Sequence, residues 1–81
     1  MSAERTAVAV TLDLKGLACP IPIVKTAVAV KKLAPGDRIE VLATDPGSAN
    51  DFPAWCRSTG NELVERGTTD GGVFRYVIRK R

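Results

Sequence analysis

The segment Gly16-Leu17-Ala18-Cys19-Pro20-Ile21-Pro22 joins two stretches of different period, and so fixes what can lie on either side of it. Before it, Val8, Val10, Leu12 and Leu14 alternate with Ala9, Thr11 and Asp13. That period-two pattern belongs to a half-buried strand. After it, Ile23, Ala27, Val30 and Ala34 fall at helical spacing, with Val24 and Leu33 on the flanks and Lys25 and Lys32 directed outward. A strand over about residues 7–14 and a helix over about residues 20–33 are therefore predicted, with a cysteine at their junction.

Proline suits the first position of a helix, where its missing N–H would have no intrahelical partner, and Pro22 still falls within the first turn. Cys19 then stands at the positive end of the helix, which favours a thiolate. The size of this bias is bounded. A free thiol is only about 3% ionised at pH 7, and a helix terminus contributes roughly 0.3–2 kcal/mol, which brings the pKa to between about 7 and 8. A deeper shift needs a cation, and Lys15 and Lys25 are the nearby ones. A thiol with a pKa near ambient pH is well matched to sulfur exchange. With Cys19 as the N-cap, Ile21 is the main backbone donor, because Pro20 and Pro22 have no N–H. A phosphate cradle needs several such donors, so a nucleotide site is not expected.

The rest of the chain alternates in the same way. Pro35-Gly36 ends the first helix, and Arg38 to Thr44 reads as a second strand. Asp45-Pro46-Gly47 turns into a second helix. There Ser48 and Asp51 resemble a capping box, and Pro53 is comfortable only if Asp51 is the cap. Phe52, Cys56 and Thr59 share a face with Trp55 beside them, and Gly60 is the stop. Glu62 to Thr68 and Val73 to Arg79 read as strands joined by Thr69-Asp70-Gly71-Gly72, a hairpin signal. The order βαβαββ predicts an α+β fold: a two-layer sandwich with two helices on one face of a four-stranded mixed sheet. Residues 1–6 read as a frayed end and 7–81 as a single domain.

Composition removes several function classes. The 81 residues include no histidine and only two cysteines, 37 positions apart, which excludes a Cys/His catalytic pair and a conventional zinc site. The net charge of +3 is too mild to argue for nucleic-acid binding. No apolar run is long enough for a membrane span, and the first residues lack a secretion signal, so a cytoplasmic location with free thiols is expected. Cys56 reads as a core residue, with a second thiol able to quench Cys19 as its functional alternative. Lys15, Lys25 and Arg57 belong to a largely solvated basic set that can also steer acidic partner proteins. Phe74 and Tyr76, alternating with Arg75, read as core rather than as a base-stacking platform.

The stretches LDLKGLACPIPIVK, ATDPGS, DFPAWC and YVIRK together resemble the TusA/SirA-type sulfur-carrier family, marked by a Cys-Pro-x-Pro motif at the start of the first helix. The resemblance covers about residues 10–80. It implies a sandwich similar to the C-terminal domain of translation initiation factor three. It further implies that Cys19 accepts sulfane sulfur as a transient persulfide, without a cofactor or metal, and passes it on. Pro20 and Pro22 match as the frame of the motif, with Gly16 and Ile21 beside them. Asp45 and Asp51 lie in matching stretches without an assigned role. A rhodanese-like protein or a cysteine desulfurase is implied as donor and another protein as acceptor, for tRNA thiolation, sulfur oxidation or cofactor synthesis. The alternative is a small RNA-associated or regulatory binding module without thiol chemistry.

Overall fold

The computed structural model describes residues 8–18, 20–69 and 71–81. Its elements are β1 (Val10–Leu14), α1 (Ile21–Lys31), β2 (Arg38–Ala43), α2 (Ser48–Thr59), β3 (Glu62–Thr69) and β4 (Val73–Arg79). The predicted order βαβαββ is the observed one. The frayed end assigned to residues 1–6, and Ala7 at the start of the first predicted strand, lie outside the described residues.

The strands form one mixed sheet in the order β1-β2-β4-β3. β1 and β2 are parallel, while β4 pairs antiparallel with both β2 and β3. Two crossovers therefore exist, one from β1 to β2 through α1 and one from β2 to β3 through α2. Both advance in the same direction along the sheet, and crossovers of this kind are almost always right-handed. One hand and one direction put both helices on one face. β4 then folds back from β3 into the gap beside β2, with Gly71 and Gly72 at φ 80° and 76° in the hairpin connection. Asp70 of that turn lies outside the described residues.

Alternation decides what each face buries. Ile39, Val41 and Ala43 of β2 stand opposite Ile78, Tyr76 and Phe74 of β4, and Val10, Leu12 and Leu14 of β1 stand opposite the same β2 residues. Apart from Val10, which is exposed, they form the core or pack against it, together with Val30 of α1 and with Phe52 and Cys56 of α2. Phe52 stacks on Tyr76, with ring centroids 4.7 Å apart and planes inclined at 25°. This accounts for Phe74 and Tyr76: they serve the helix-covered face and are not available as a platform for bases.

Several boundaries and caps differ from expectation. α1 begins at Ile21, with Pro20 as its N-cap and Pro22 at the second helical position, and it ends at Lys31 rather than Leu33. Its buried residues are Pro22, Thr26 and Val30, while Ala34 is exposed. The inward face is thus rotated from the one that apolar spacing alone selects. In α2 the predicted Ser48 capping box is absent, because Gly47 is the N-cap and no side chain caps the helix. Ser48 is 2% exposed and its hydroxyl pairs with the Tyr76 hydroxyl at 2.9 Å, so core packing has claimed the group that would cap. Pro53 lies inside the helix, so the Ala49 carbonyl receives no bond from it. Gly60 ends the helix at φ 80°, its N–H donating to the Cys56 carbonyl, as the sequence predicts.

Candidate functional site

The C-terminal ends of the parallel strands β1 and β2 lie at one edge of the molecule, and both helices start from that edge. The junction from β1 to α1 is built there by a short series of backbone bonds. Leu17 N–H donates to the Leu14 carbonyl at 3.2 Å, closing a turn around Gly16, whose φ of 84° is open mainly to glycine. Gly16 N–H in turn donates to Thr44 Oγ1 at 2.8 Å, which ties the turn to the end of β2.

Side chains fix the same segment from below. Leu17 packs against the core cluster and Pro22 is buried, whereas Ala18, Pro20 and Ile21 between them are exposed. The segment is therefore anchored at both ends and presented to solvent in the middle. Cys19, which falls between Ala18 and Pro20 in the sequence, lies outside the described residues.

The donor arrangement at the start of α1 corrects an expectation. Ile21 N–H is not left as a donor for an anion, because it donates to the Ala18 carbonyl at 3.0 Å, and the first helical bond runs from Val24 N–H to the Pro20 carbonyl at 3.1 Å. With Pro20 as cap and Pro22 at the second position, the first turn has neither of those N–H groups to offer. The helix macrodipole is unaffected, and the first turn holds no acidic residue to oppose a negative charge. Residues 14–36 contain four lysines and no carboxylate.

The candidate cations around this junction are placed differently from one another. Lys15 is engaged by Asp13: its Nζ lies 3.8 Å from one carboxylate oxygen, and its N–H donates to the other at 3.1 Å. Lys25 is exposed on the second turn of α1. Arg57 is in the last turn of α2, at the end of that helix remote from the strand ends that carry the junction. The three are not brought together around one point.

Cys56 is 3% exposed and belongs to the core cluster. Burial pushes its thiol up to about 11, so it is protonated at physiological pH and shielded from reagents. Sequence reasoning missed Thr26, a threonine in the middle of the inward face of α1 that is 0% exposed and whose hydroxyl has no hydrogen-bond partner. Only the rotation of the helix face reveals it. It also missed the network on the open sheet face. There Arg75 bridges Glu40 and Glu65, Thr11 donates to Glu40 at 3.1 Å, and Arg79 pairs with Glu62. The guanidinium of Arg75 holds the Glu40 carboxyl below its usual range. Among the described residues no group of three or more potential metal ligands occurs, and no helix is long and apolar enough to cross a membrane.

A mixed four-stranded sheet under two helices, with a Cys-Pro-x-Pro segment at the first strand-to-helix junction, defines a class that comparison with known proteins identifies. The family model described as Sulfurtransferase TusA matches residues 10–80. The chain is 44% identical over 69 residues to the sulfur carrier protein TusA of Allochromatium vinosum, covering 85% of this chain and 90% of that protein. It is 43% identical over 70 residues to the sulfur carrier protein TusA of Pseudomonas paraeruginosa, covering 86% and 87% respectively. In three dimensions it is similar to the crystal structure of the SirA-like protein of Desulfitobacterium hafniense, with a TM-score of 0.79 at 27% identity over 86% of this chain and 95% of that one. The chain belongs to the TusA family of sulfur carriers.

Proposed function

We propose that the protein relays sulfane sulfur on Cys19. The thiolate of Cys19 attacks the outer sulfur of a donor persulfide. A new S–S bond forms at Cys19 as the donor's S–S bond breaks, and the donor leaves as a thiolate. In the second half-reaction an acceptor thiolate attacks the outer sulfur now on Cys19, which departs as a thiolate in its turn. Electrons balance in both steps without an oxidant, a metal or a resident cofactor, and only a thiolate with a pKa near ambient pH is required. Donor and acceptor are both proteins, the donor of the rhodanese or cysteine-desulfurase type. A reducing, cytoplasmic setting keeps the thiol available between transfers.

The observation that carries this reading is the construction of the junction. Leu17 and Pro22 are held inward while Ala18, Pro20 and Ile21 are exposed at the acid-free start of α1. Such a mount supports a thiol that must be reached from outside and must not be enclosed. Cys56, buried and hard to ionise, supports a structural role for the second thiol. The RNA-binding alternative finds no comparable support, since Arg75 and Arg79 on the open sheet face are already paired with carboxylates.

The test is intact-mass analysis after incubation with a polysulfide donor. One added sulfur is expected on the wild-type chain and on Cys56→Ser, and none on Cys19→Ser. Equal loading of Cys19→Ser overturns the proposal.

A further inference from the structure

Helix α1 is apolar on more sides than the core covers. Pro22, Thr26 and Val30 face inward, yet Val24 and Val28, one turn apart, are 56% and 51% exposed. β1 is an edge strand, and its Val10 is 37% exposed. Between the two lies an open groove of about 970 Å³, lined chiefly by Val10, Leu12, Leu17, Val24, Val28 and Leu33. Leu17 marks the end of this groove at the Cys19 junction.

The charges around the groove distinguish its occupant. Lys25 on α1 and Lys32 at its C-cap also line it, and neither makes an ion pair among the described residues; the one carboxylate in the lining, Asp13, is paired with Lys15 at 3.8 Å. Of the basic side chains elsewhere, Lys15, Arg75 and Arg79 are engaged by carboxylates and Lys80 by the Leu33 carbonyl at 2.6 Å. An apolar strip edged by uncompensated lysines calls for apolar anchors edged by carboxylates. A second copy of this chain does not fit, because a two-fold contact sets the same patch against itself and brings lysines onto lysines. An anionic membrane fits less well, because the apolar residues line a concavity and no aromatic residue stands out from it.

We propose that the groove between α1 and β1 docks an acidic amphipathic helix of a partner protein, its apolar stripe seated on Val24 and Val28 and its carboxylates facing Lys25 and Lys32. Helix-in-groove recognition uses this geometry, with anchors at every third or fourth residue. Resting on the sulfur-carrier reading, the proposal gives that reading a docking site that ends at Leu17, two residues before Cys19 in the chain, so that the helix would align a donor or acceptor sulfur by its own length.

The probe is a synthetic amphipathic peptide of about 16 residues, long enough to be helical, with a leucine stripe flanked by glutamates; a second peptide carries lysines in place of the glutamates. Backbone amide shifts of the isotope-labelled protein should move at β1 and α1 with the acidic peptide and stay still with the basic one. The double variants Val24→Ser/Val28→Ser and Lys25→Glu/Lys32→Glu should each weaken binding about tenfold or more. The valines are half exposed and the lysines lie on the surface, so both variants should fold. Val24→Ser/Val28→Ser should also load sulfur from polysulfide as well as wild type. Shifts mapping to the open sheet face, equal binding by the basic peptide, or undiminished binding by either double variant overturns the proposal. So does retention on phosphatidylglycerol vesicles, or self-association at the same face, in place of peptide binding. Polysulfide loading separates the two readings. If loading fails while the peptide binds, the carrier chemistry falls; if loading succeeds while the peptide does not bind, the docking site falls.

Discussion

The backbone N–H of Gly16 donates to Oγ1 of Thr44 at 2.8 Å, joining the turn that leads to Cys19 to the end of the neighbouring strand. These residues are 28 positions apart, and their bond ties the turn before α1 to the end of β2.

Gly16→Ala should destabilise the fold by about 1–2 kcal/mol, since a side chain at φ 84° meets strain even though no atom lies within 4 Å of the added methyl group. Thr44→Val should cost about 0.5–1.5 kcal/mol, and Thr44→Ser should recover most of it. Urea denaturation followed by circular dichroism measures both. A Gly16→Ala protein as stable as wild type would show that the left-handed turn does not set the junction.

Arg75 should matter more for what it covers than for its charge. Val77 is 0% exposed although it lies on the sheet face that carries no helix, between Glu40 on β2 and Glu65 on β3 in the strand register. The stems of these residues and of Arg75 are what can shield it. Arg75→Ala should therefore cost about 1–2 kcal/mol, a good part of the value of burying a valine, and Arg75→Met should cost clearly less. If the loss came from the ion pairs alone, the two variants would match and 1 M salt would erase their difference from wild type.

The sheet was legible in the sequence because its strands are half-buried and their alternation records which face is covered. The βαβ pattern then determined how the crossovers run, and Gly60 and the Gly71-Gly72 pair marked their turns directly. Helix α1 was less legible for a physical reason. Its residues are apolar almost all round, so spacing cannot distinguish the face that meets the sheet from the face left open at the edge strand. Thr26 went inside and Val24 and Val28 outside, against simple hydrophobic preference. At Ser48 the local capping pattern was genuine, but the Tyr76 hydroxyl arrives from 28 residues away and takes the group. The Cys-Pro-x-Pro segment was legible as a motif of the family. Its donor pattern was not, because a shift of one residue in the cap turns Ile21 N–H back onto Ala18.

Thr26 provides a stabilising substitution. Its hydroxyl is fully buried and unpaired, a state that costs roughly 1–3 kcal/mol, and valine has nearly the same shape and a similar helix propensity. Thr26→Val should gain about 1 kcal/mol, a rise in melting temperature of roughly 4–8 °C for a domain of this size. A calorimetric scan that shows a loss would mean that the hydroxyl has a partner in solution, such as a buried water.

Alkaline pH should expose the cost of burying Cys56. Its thiol titrates at about 11 in the folded chain, against a reference value of 9.0, because burial disfavours the thiolate. The unfolded chain therefore loses its proton first as pH rises. The contribution of the group to stability is complete below about pH 9 and is lost between there and about 11, amounting to roughly 2–3 kcal/mol. Tyr76, also raised by burial, acts in the same direction. Cys56→Ala, which removes the thiol, should flatten the stability curve over that range while lowering stability at pH 7 through the cavity it leaves. The same protonated state should leave Cys56 unalkylated by iodoacetamide at pH 8 in the native protein and reactive in urea, as read by peptide mass analysis. Rapid native labelling of Cys56 would mean that α2 opens far more often than its packing against Tyr76 allows.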